Sequence, residues 1–431
     1  MLEPEPISFD RALRDAANAL ERRSTKGEPA SDALPAALLD DETLAWLREL
    51  GTKDPLAPAL ERWLLRLREQ AELAPRRAEL GRAHRAALHH ISAPADAHLP
   101  LATMLELALT RAGERAAYLK SYFASAGDLG ELVARLWEER QLFAERVKAP
   151  LDSFEVVSPA LVPAAREFLN ATRPAFETLE VHDAATFLGA ALAESANEGW
   201  PAHLSARTVS ELLPRQWSDG LRVRPFRLPR AIGGASFLLA LSELGRALAD
   251  ATSEPRSPFV LARDVFDLRR NEFAALLAAA TVSPAFATRQ LGLGAARARD
   301  QVRVLAHALL VDARVAAFRV LLRELLLQGP SRVRREIAEL SHGSLGFELP
   351  HTAVGAFVRV RPRDSQRFAA SLQAQAQTQI LIDSHDEDWF RNPRAIRELS
   401  AEFAEPRQSD VSAASLELGV AAFRARVEPL L

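Results

Sequence analysis

Apolar residues recur at helical spacing along almost the whole chain, and long alternating stretches are scarce. That period predicts helices rather than a sheet. Leu39 to Leu50 opens with Asp40, Asp41 and Glu42, acidic residues suited to a helix N-terminus, and stops at Gly51. Asp54-Pro55 offers a cap and a first-position proline for a helix running to Leu73. Amphipathic segments follow at Arg76 to His90, Leu101 to Ala126 and Leu129 to Val147, with Pro150 just beyond the last. Helical signals resume at Ala164 to Phe176, Ala184 to Ala196 and Ser205 to Leu213. A long helix is expected from Gln301 to Gln328, ended by Gly329-Pro330. No fixed-period repeat is visible, which disfavours a regular solenoid.

Two segments interrupt this pattern as loops. Arg22 to Pro35 is polar, and Pro150 to Pro163 is proline-bounded and irregular. At 431 residues the chain exceeds the usual size of one compact core. The second loop therefore sets the expected boundary between an N-terminal helical lobe, 1–150, and a second helical lobe, 151–431. Two short stretches, Leu221 to Pro225 and Val358 to Pro362, alternate apolar residues with arginine before a proline. Each reads as a short strand or an extended edge. The fold class expected is all-α with at most a few short strands.

Composition adds mainly exclusions. Hydrophobic residues make up 48% and charged residues 26%, enough apolar surface for a large core. The net charge of −3, from 54 basic and 57 acidic side chains, gives no global field for nucleic acid or an anionic membrane. Lysine occurs only at Lys26, Lys53, Lys120 and Lys148; the arginine bias matches the alanine-rich composition and is not a sign of phosphate recognition. The absence of cysteine removes disulfides, thiolate zinc sites and cysteine nucleophiles. The acidic, proline-broken start lacks the basic and apolar regions of a secretory signal, and Phe273 to Thr288 is too short to span a bilayer. A cytoplasmic protein without membrane insertion is the expectation.

The common chemical motifs are missing. No glycine precedes a lysine, so there is no Walker loop. Gly292-Leu293-Gly294 reads as a turn opening the next helix, and Gly343 to Gly346 as a turn one residue short of a nucleophile elbow. None of the lysines follows a serine at hydrolase spacing. No two histidines are four apart, and His84, His89 and His90 fall on different helix faces. Asp383 to Asp388, with His385, lacks the glycine turn of a calcium loop and reads as a helix N-terminal cap before Trp389 and Phe390.

One helical stretch carries a resemblance. It reads Ala240-Leu241-Ser242-Glu243-Leu244-Gly245-Arg246-Ala247-Leu248. A glycine inside a helix costs about 1 kcal/mol relative to alanine, so Gly245 calls for a close packing contact. The stretch resembles the active-site helix of the thimet-oligopeptidase and oligoendopeptidase family of zinc peptidases, His-Glu-x-Gly-His-Ala-Leu. Glu243, Gly245, Ala247 and Leu248 match, while Ser242 and Arg246 stand at the two zinc histidines. Upstream, Arg224-Pro225-Phe226 resembles the family's extended segment. Downstream, Asn271, followed by Glu272, stands where the family places a glutamate ligand, and Val282-Ser283-Pro284 resembles its Trp-Glu-Pro. Thr352 to Arg359 aligns with the family's tyrosine-rich segment, keeping Gly355 and losing every tyrosine.

The resemblance implies two helical lobes around a cleft and a metallopeptidase-like fold over about residues 150 to 431. It also implies a lost centre. Catalytic zinc needs three protein ligands and an open position for water. Serine is a poor ligand, arginine is a fixed cation, and asparagine lacks a glutamate's charge. Neither a metal nor another cofactor is expected, and Glu243 is vestigial. Glu243 and Arg246 are three apart and share a helix face, so Arg246 is expected either to pair with Glu243 or Glu272, or to lie on the surface. If the fold holds, Arg222, Arg224, Arg359 and Arg361 approach the cleft and, with Arg246 and His351, are candidates to bind an acidic peptide; alternatively these arginines pair with the chain's own carboxylates. The leading expectation is a pseudoenzyme that binds or scaffolds a protein or peptide. The alternatives are a peptidase with ligands recruited from His351 or His385, or a helical interaction module unrelated to peptidases.

Overall fold

The computed structural model describes residues 5–26, 34–35, 38–51, 53–89, 112–125, 127, 129–150, 153, 158–226, 228, 233–253, 258–263, 265–354, 364–405 and 411–431. The architecture is all-α. The helices are α1 (Pro6–Lys26), α2 (Asp41–Leu50), α3 (Ala57–Glu72), α4 (Ala74–His89), α5 (Arg115–Ser125), α6 (Leu129–Arg146), α7 (Leu161–Ala171), α8 (Arg173–Glu177), α9 (Ala184–Leu192) and α10 (Ala206–Glu211). They continue with α11 (Ala235–Ser253), α12 (Phe259–Ala262), α13 (Leu268–Thr281), α14 (Pro284–Arg289), α15 (Ala295–Leu327), α16 (Pro330–Leu345), α17 (Asp364–His385), α18 (Pro393–Ala404) and α19 (Ala413–Val427). Among the described residues no strand forms, and no helix is long and apolar enough to cross a membrane.

Capping explains several boundaries. Asp40 accepts from the Glu42 N–H at 3.1 Å and starts α2. Asp54 accepts from the Leu56 N–H at 2.8 Å, a turn that sets α3 two residues past Pro55. Asp183 with Thr186, and Ser205 with Thr208, close capping boxes on α9 and α10. Ser283 caps α14 at 3.1 Å with Pro284 at its first turn, which divides the apolar stretch from Phe273 to Thr288 into two helices.

Four expectations change. The long helix begins at Ala295, ahead of Gln301, because its first turns are charged and exposed and carry no apolar period. Gly343 to Leu345 is the last turn of α16, and Gly346, at φ +84°, is the left-handed residue that ends it. The acidic run is also an ending: α17 continues through His385, and Asp386 turns the chain at φ +70°. Leu221 to Pro225 has no regular secondary structure and forms no strand. Val358 to Pro362, Arg359, Arg361, Gly355, His90 and the side chains of His84 and His89 lie outside the described residues.

Two hydrophobic cores result. The larger is built on α15, whose Leu305, Leu310, Phe318 and Leu322 are buried along its length, and takes in α7, α11, α13, α17 and α19. The smaller joins Phe9, Leu13, Leu47, Leu60, Trp63 and Leu64 to Val260 and Val265. Helix α6 serves both, with Val133 and Trp137 in the larger and Phe143 and Ala144 in the smaller. A buried pair, Arg140 with Glu69, ties α6 to α3 at this junction.

Candidate functional site

Helices α11 and α13 run side by side through the larger core, and Gly245 is the reason they can approach so closely. A Cβ there would lie 2.8 Å from the Ala274 Cα and 3.0 Å from the Phe273 carbonyl oxygen. Glycine is required by packing at this position. The contact places residues 242–246 of α11 against the first turns of α13.

Arg246 lies at the centre of that contact. Its Nε donates to the Asn271 Oδ1 at 3.2 Å, and its Nη1 pairs with the Glu243 carboxylate one turn earlier. Of the two carboxylate partners expected for it, Glu243 is the one bonded. The Arg246 side chain is 23% exposed, so the surface alternative fails. Burial pulls the guanidinium below its ordinary pKa; Glu243 opposes this, Arg367 and Arg270 reinforce it, and Asp267 opposes it. An arginine starts so high that it remains a cation at neutral pH. Ser242 Oγ donates back to the Leu238 carbonyl at 3.0 Å, the usual local bond of a mid-helix serine.

The first turn of α13 is itself fixed from outside. Its N-cap, Asp267, is buried and left-handed at φ +54°, and its main-chain oxygen accepts from the Asn271 N–H at 3.0 Å. Three arginines surround its carboxylate: Arg66 at 3.3 Å, Arg270 at 3.4 Å and Arg263 at 3.8 Å. Burial works to raise the Asp267 pKa, but Arg66, Arg270 and Arg263 outweigh it and hold the carboxyl below its usual range. Arg270 also grips Asp250 of α11 at 2.7 Å. The side chain that receives Arg246 thus rests on a charge cluster reaching into the N-terminal helices.

These residues do not suit a zinc ion. The Ser242 hydroxyl is turned to its own helix, Asn271 is occupied by Arg246, and Arg246 brings positive charge where a cation would have to be held. Among the described residues, no three His, Asp or Glu side chains gather as a metal-binding group.

The other candidates lie apart. Arg222 and Arg224 are exposed on the segment before α11. His351 opens a one-turn helix whose backbone packs on Gly130 of α6. His385 Nε2 is 2.9 Å from Glu398, which Arg394 also pairs at 2.8 Å. Asp267, Arg270 and Arg66 were not singled out in the sequence: Asp267 and Arg270 are an ordinary i,i+3 pair, and only the fold brings Arg66 to them.

No family model matches this chain, and no curated protein matches it. Solved structures do. Trypanosoma cruzi metallocarboxypeptidase 1 is similar over 98% of this chain and 97% of its own, with 12% identity and a TM-score of 0.51. The M32 carboxypeptidase from Deinococcus radiodurans R1 is similar over 98% of both chains, with 14% identity and a TM-score of 0.52. The likeness establishes an all-α, metallopeptidase-like fold. It extends beyond residues 150–431 to the N-terminal helices.

Proposed function

We propose that this protein is a catalytically inactive member of the helical zinc-peptidase lineage, kept as a cytoplasmic binding or scaffold protein for a peptide segment. The observation that carries the reading is Arg246, bonded at once to Glu243 and Asn271. In the resemblance to the thimet-oligopeptidase and oligoendopeptidase helix, positions 242, 246 and 271 are the ligand positions and Glu243 is the general base. An internal cation then stands in the metal's place, and the base is engaged by it. Without a metal-activated water the family's hydrolytic route has no nucleophile.

A peptide binding to such a protein would meet positive charge. Arg222 and Arg224 are exposed on the segment before α11. Exposed guanidinium groups with the half-buried Arg246 favour acidic residues in the ligand. The two lobes, 1–150 and 151–431, flank the peptide in this reading.

Bound metal measured on the purified protein, with cleavage of mixed quenched peptides with and without zinc, tests the proposal. No stoichiometric zinc and no cleavage are expected. Stoichiometric metal accompanied by cleavage overturns it. The combined variant Ser242→His, Arg246→His, Asn271→Glu is expected to gain zinc binding; a folded triple variant that binds none removes the assignment of these positions as former ligands. Acidic peptides should bind more weakly as salt rises.

A further inference from the structure

Helices α1 and α3 build the smaller core, whereas α11 and α13, which carry Arg246 and Asn271, lie in the larger. The chain between α11 and α13 does not stay with its flanking helices. Its Val260 and Val265, at 4% and 5% exposure, are buried in the smaller core, and α12 packs against α1 and α3.

Side chains of α1 and α3 bind the main chain of this segment at three places. Asp10 accepts from the Phe259 and Val260 N–H groups, each at 3.0 Å. Trp63 Nε1 donates to the Arg263 carbonyl at 2.9 Å, and its ring lies 4.7 Å from that of Phe259. Arg66 donates to the Val265 carbonyl and pairs with Asp267. Buried main-chain groups are costly to leave unpaired, so these bonds fix the path of the segment up to the start of α13. From there one turn of helix leads to the site: the Asp267 main-chain oxygen accepts from the Asn271 N–H, and Asn271 Oδ1 accepts from Arg246 at 3.2 Å. That length is at the outer edge of an ordinary N–H···O bond, so a further shift of about 0.3 Å would break it.

We propose that Asp10, Trp63 and Arg66 are positioning residues for the Arg246 site. The contact at Gly245 sets how closely α11 and α13 approach; the three side chains set, from the other core, where the first turn of α13 lies. A displacement of α1 and α3 thereby reaches the cation that holds Glu243. Its consequence for peptide binding rests on the reading of Arg246 given above. The positioning does not, and its test needs no ligand.

The full chain is compared with Asp10→Asn, which removes one of two acceptors, and Trp63→Phe, which keeps the ring and removes only the indole donor. Hydrogen exchange at 271–275 is expected to be at least about tenfold faster in both, with 343–346 unchanged. Each variant is also combined with Arg246→Ala. Where the Asn271 bond is already loosened, removing Arg246 costs less, so the unfolding constants should depart from additivity by at least about threefold, more than independent sites show. Leu47→Val, which loosens the smaller core away from the segment, should add independently with Arg246→Ala. Unchanged exchange at 271–275, additive costs, or equal coupling to Leu47→Val would overturn the proposal and leave the α11–α13 packing alone to place Asn271.

Discussion

Arg66 and Asp267 are 201 residues apart in sequence and 3.3 Å apart in the fold. Both side chains are buried, at 6% and 7% exposure. Through this pair the N-terminal helix α3 holds the residue on which α13 begins. Arg66 also donates to the Val265 carbonyl, and Trp63 Nε1 donates to the Arg263 carbonyl at 2.9 Å. Asp10 of α1 accepts from the N–H groups of Phe259 and Val260, each at 3.0 Å. The segment before α13 is therefore fastened to two helices of the smaller core, and Asn271 inherits its position from them.

Asp267→Asn is expected to destabilise the protein by about 3 kcal/mol, since it leaves three arginines around a neutral side chain. Urea unfolding at neutral pH measures this. The pH dependence has a defined sign. Asp267 has a lowered folded pKa, so its contribution is complete above the unfolded carboxyl value, near 3.9, and is lost as pH falls through the folded value. The gap between the wild type and Asp267→Asn should therefore close only in acid, below about pH 4. A gap that closed between pH 6 and 8 would point to a different titrating group.

Arg246→Ala leaves Glu243 without its cation and Asn271 without its donor. Because Glu243 is 37% exposed and water screens the pair, the expected cost is modest, about 1 kcal/mol. Arg246→Lys should recover part of it, since an ammonium lacks the planar fork that reaches both partners. A double-mutant cycle with Glu243→Gln reads the coupling directly. Additive single costs would mean that the two side chains do not stabilise each other.

Much of the helical order was legible: the acidic start of α2 and the Gly329-Pro330 break before α16 were local signals, and the apolar period placed α9 and α10, whereas the Ser283 cap that starts α14 was not read. The i,i+3 relation of Glu243 and Arg246 was legible for the same reason: helix periodicity alone places them on one face. Endings read less well. The acidic run from Asp383 resembles a start, yet it ends α17, because the apolar period behind it, through Leu381, continues the helix. The Asp267 cluster was not legible as a whole: Arg263 and Arg270 are helical neighbours of Asp267, but Arg66 and Asp250 come from separate helices, and no local pattern encodes that meeting.

Two glycines should respond to alanine with opposite signs. At Gly245 the new methyl meets main-chain atoms of α13 at 2.8 and 3.0 Å, which only a shift of the helices can relieve. Overpacking of about 1–3 kcal/mol should exceed the helix-propensity gain of about 1 kcal/mol, so Gly245→Ala destabilises. Gly343, in the last turn of α16, has nothing within 4 Å of its Cβ position. Gly343→Ala is therefore expected to stabilise by about 0.5–1 kcal/mol. Paired thermal melts of the two variants check both signs, and a stabilised Gly245→Ala would show that α11 and α13 are less closely packed than described.

Arg314 on α15 is 1% exposed and bonds to no carboxylate among its hydrogen-bond partners. Its guanidinium donates to the Leu169 carbonyl and Thr172 Oγ1, each at 2.8 Å, and to the carbonyls of Ser344 and Gly343 at 2.9 and 3.1 Å. Its cation also sits 4.2 Å from the centre of the Phe176 ring. These acceptors are the C-terminal ends of α7 and α16, where main-chain oxygens lack helical partners and the helix dipole is negative. One side chain on α15 thus closes two helix ends at once. Burial is the main cause that lowers its pKa, to about 10, with Arg173 adding to the effect and Glu177 opposing it. Because the folded value is below the unfolded one, the unfolded chain binds more protons only above about pH 10, so this residue gives no pH dependence near neutrality. Arg314→Met keeps the bulk and removes every donor, leaving three buried acceptors and one half-buried acceptor unmet, and should cost about 3–5 kcal/mol. Arg314→Lys keeps the charge but cannot span both helix ends, and should lie between the wild type and Arg314→Met. Hydrogen exchange resolves where the loss occurs: protection should fall first at 169–172 and 343–346, while the Asp267 region stays protected. Uniform loss across both cores would mean that Arg314 acts through general packing and not through the two helix ends.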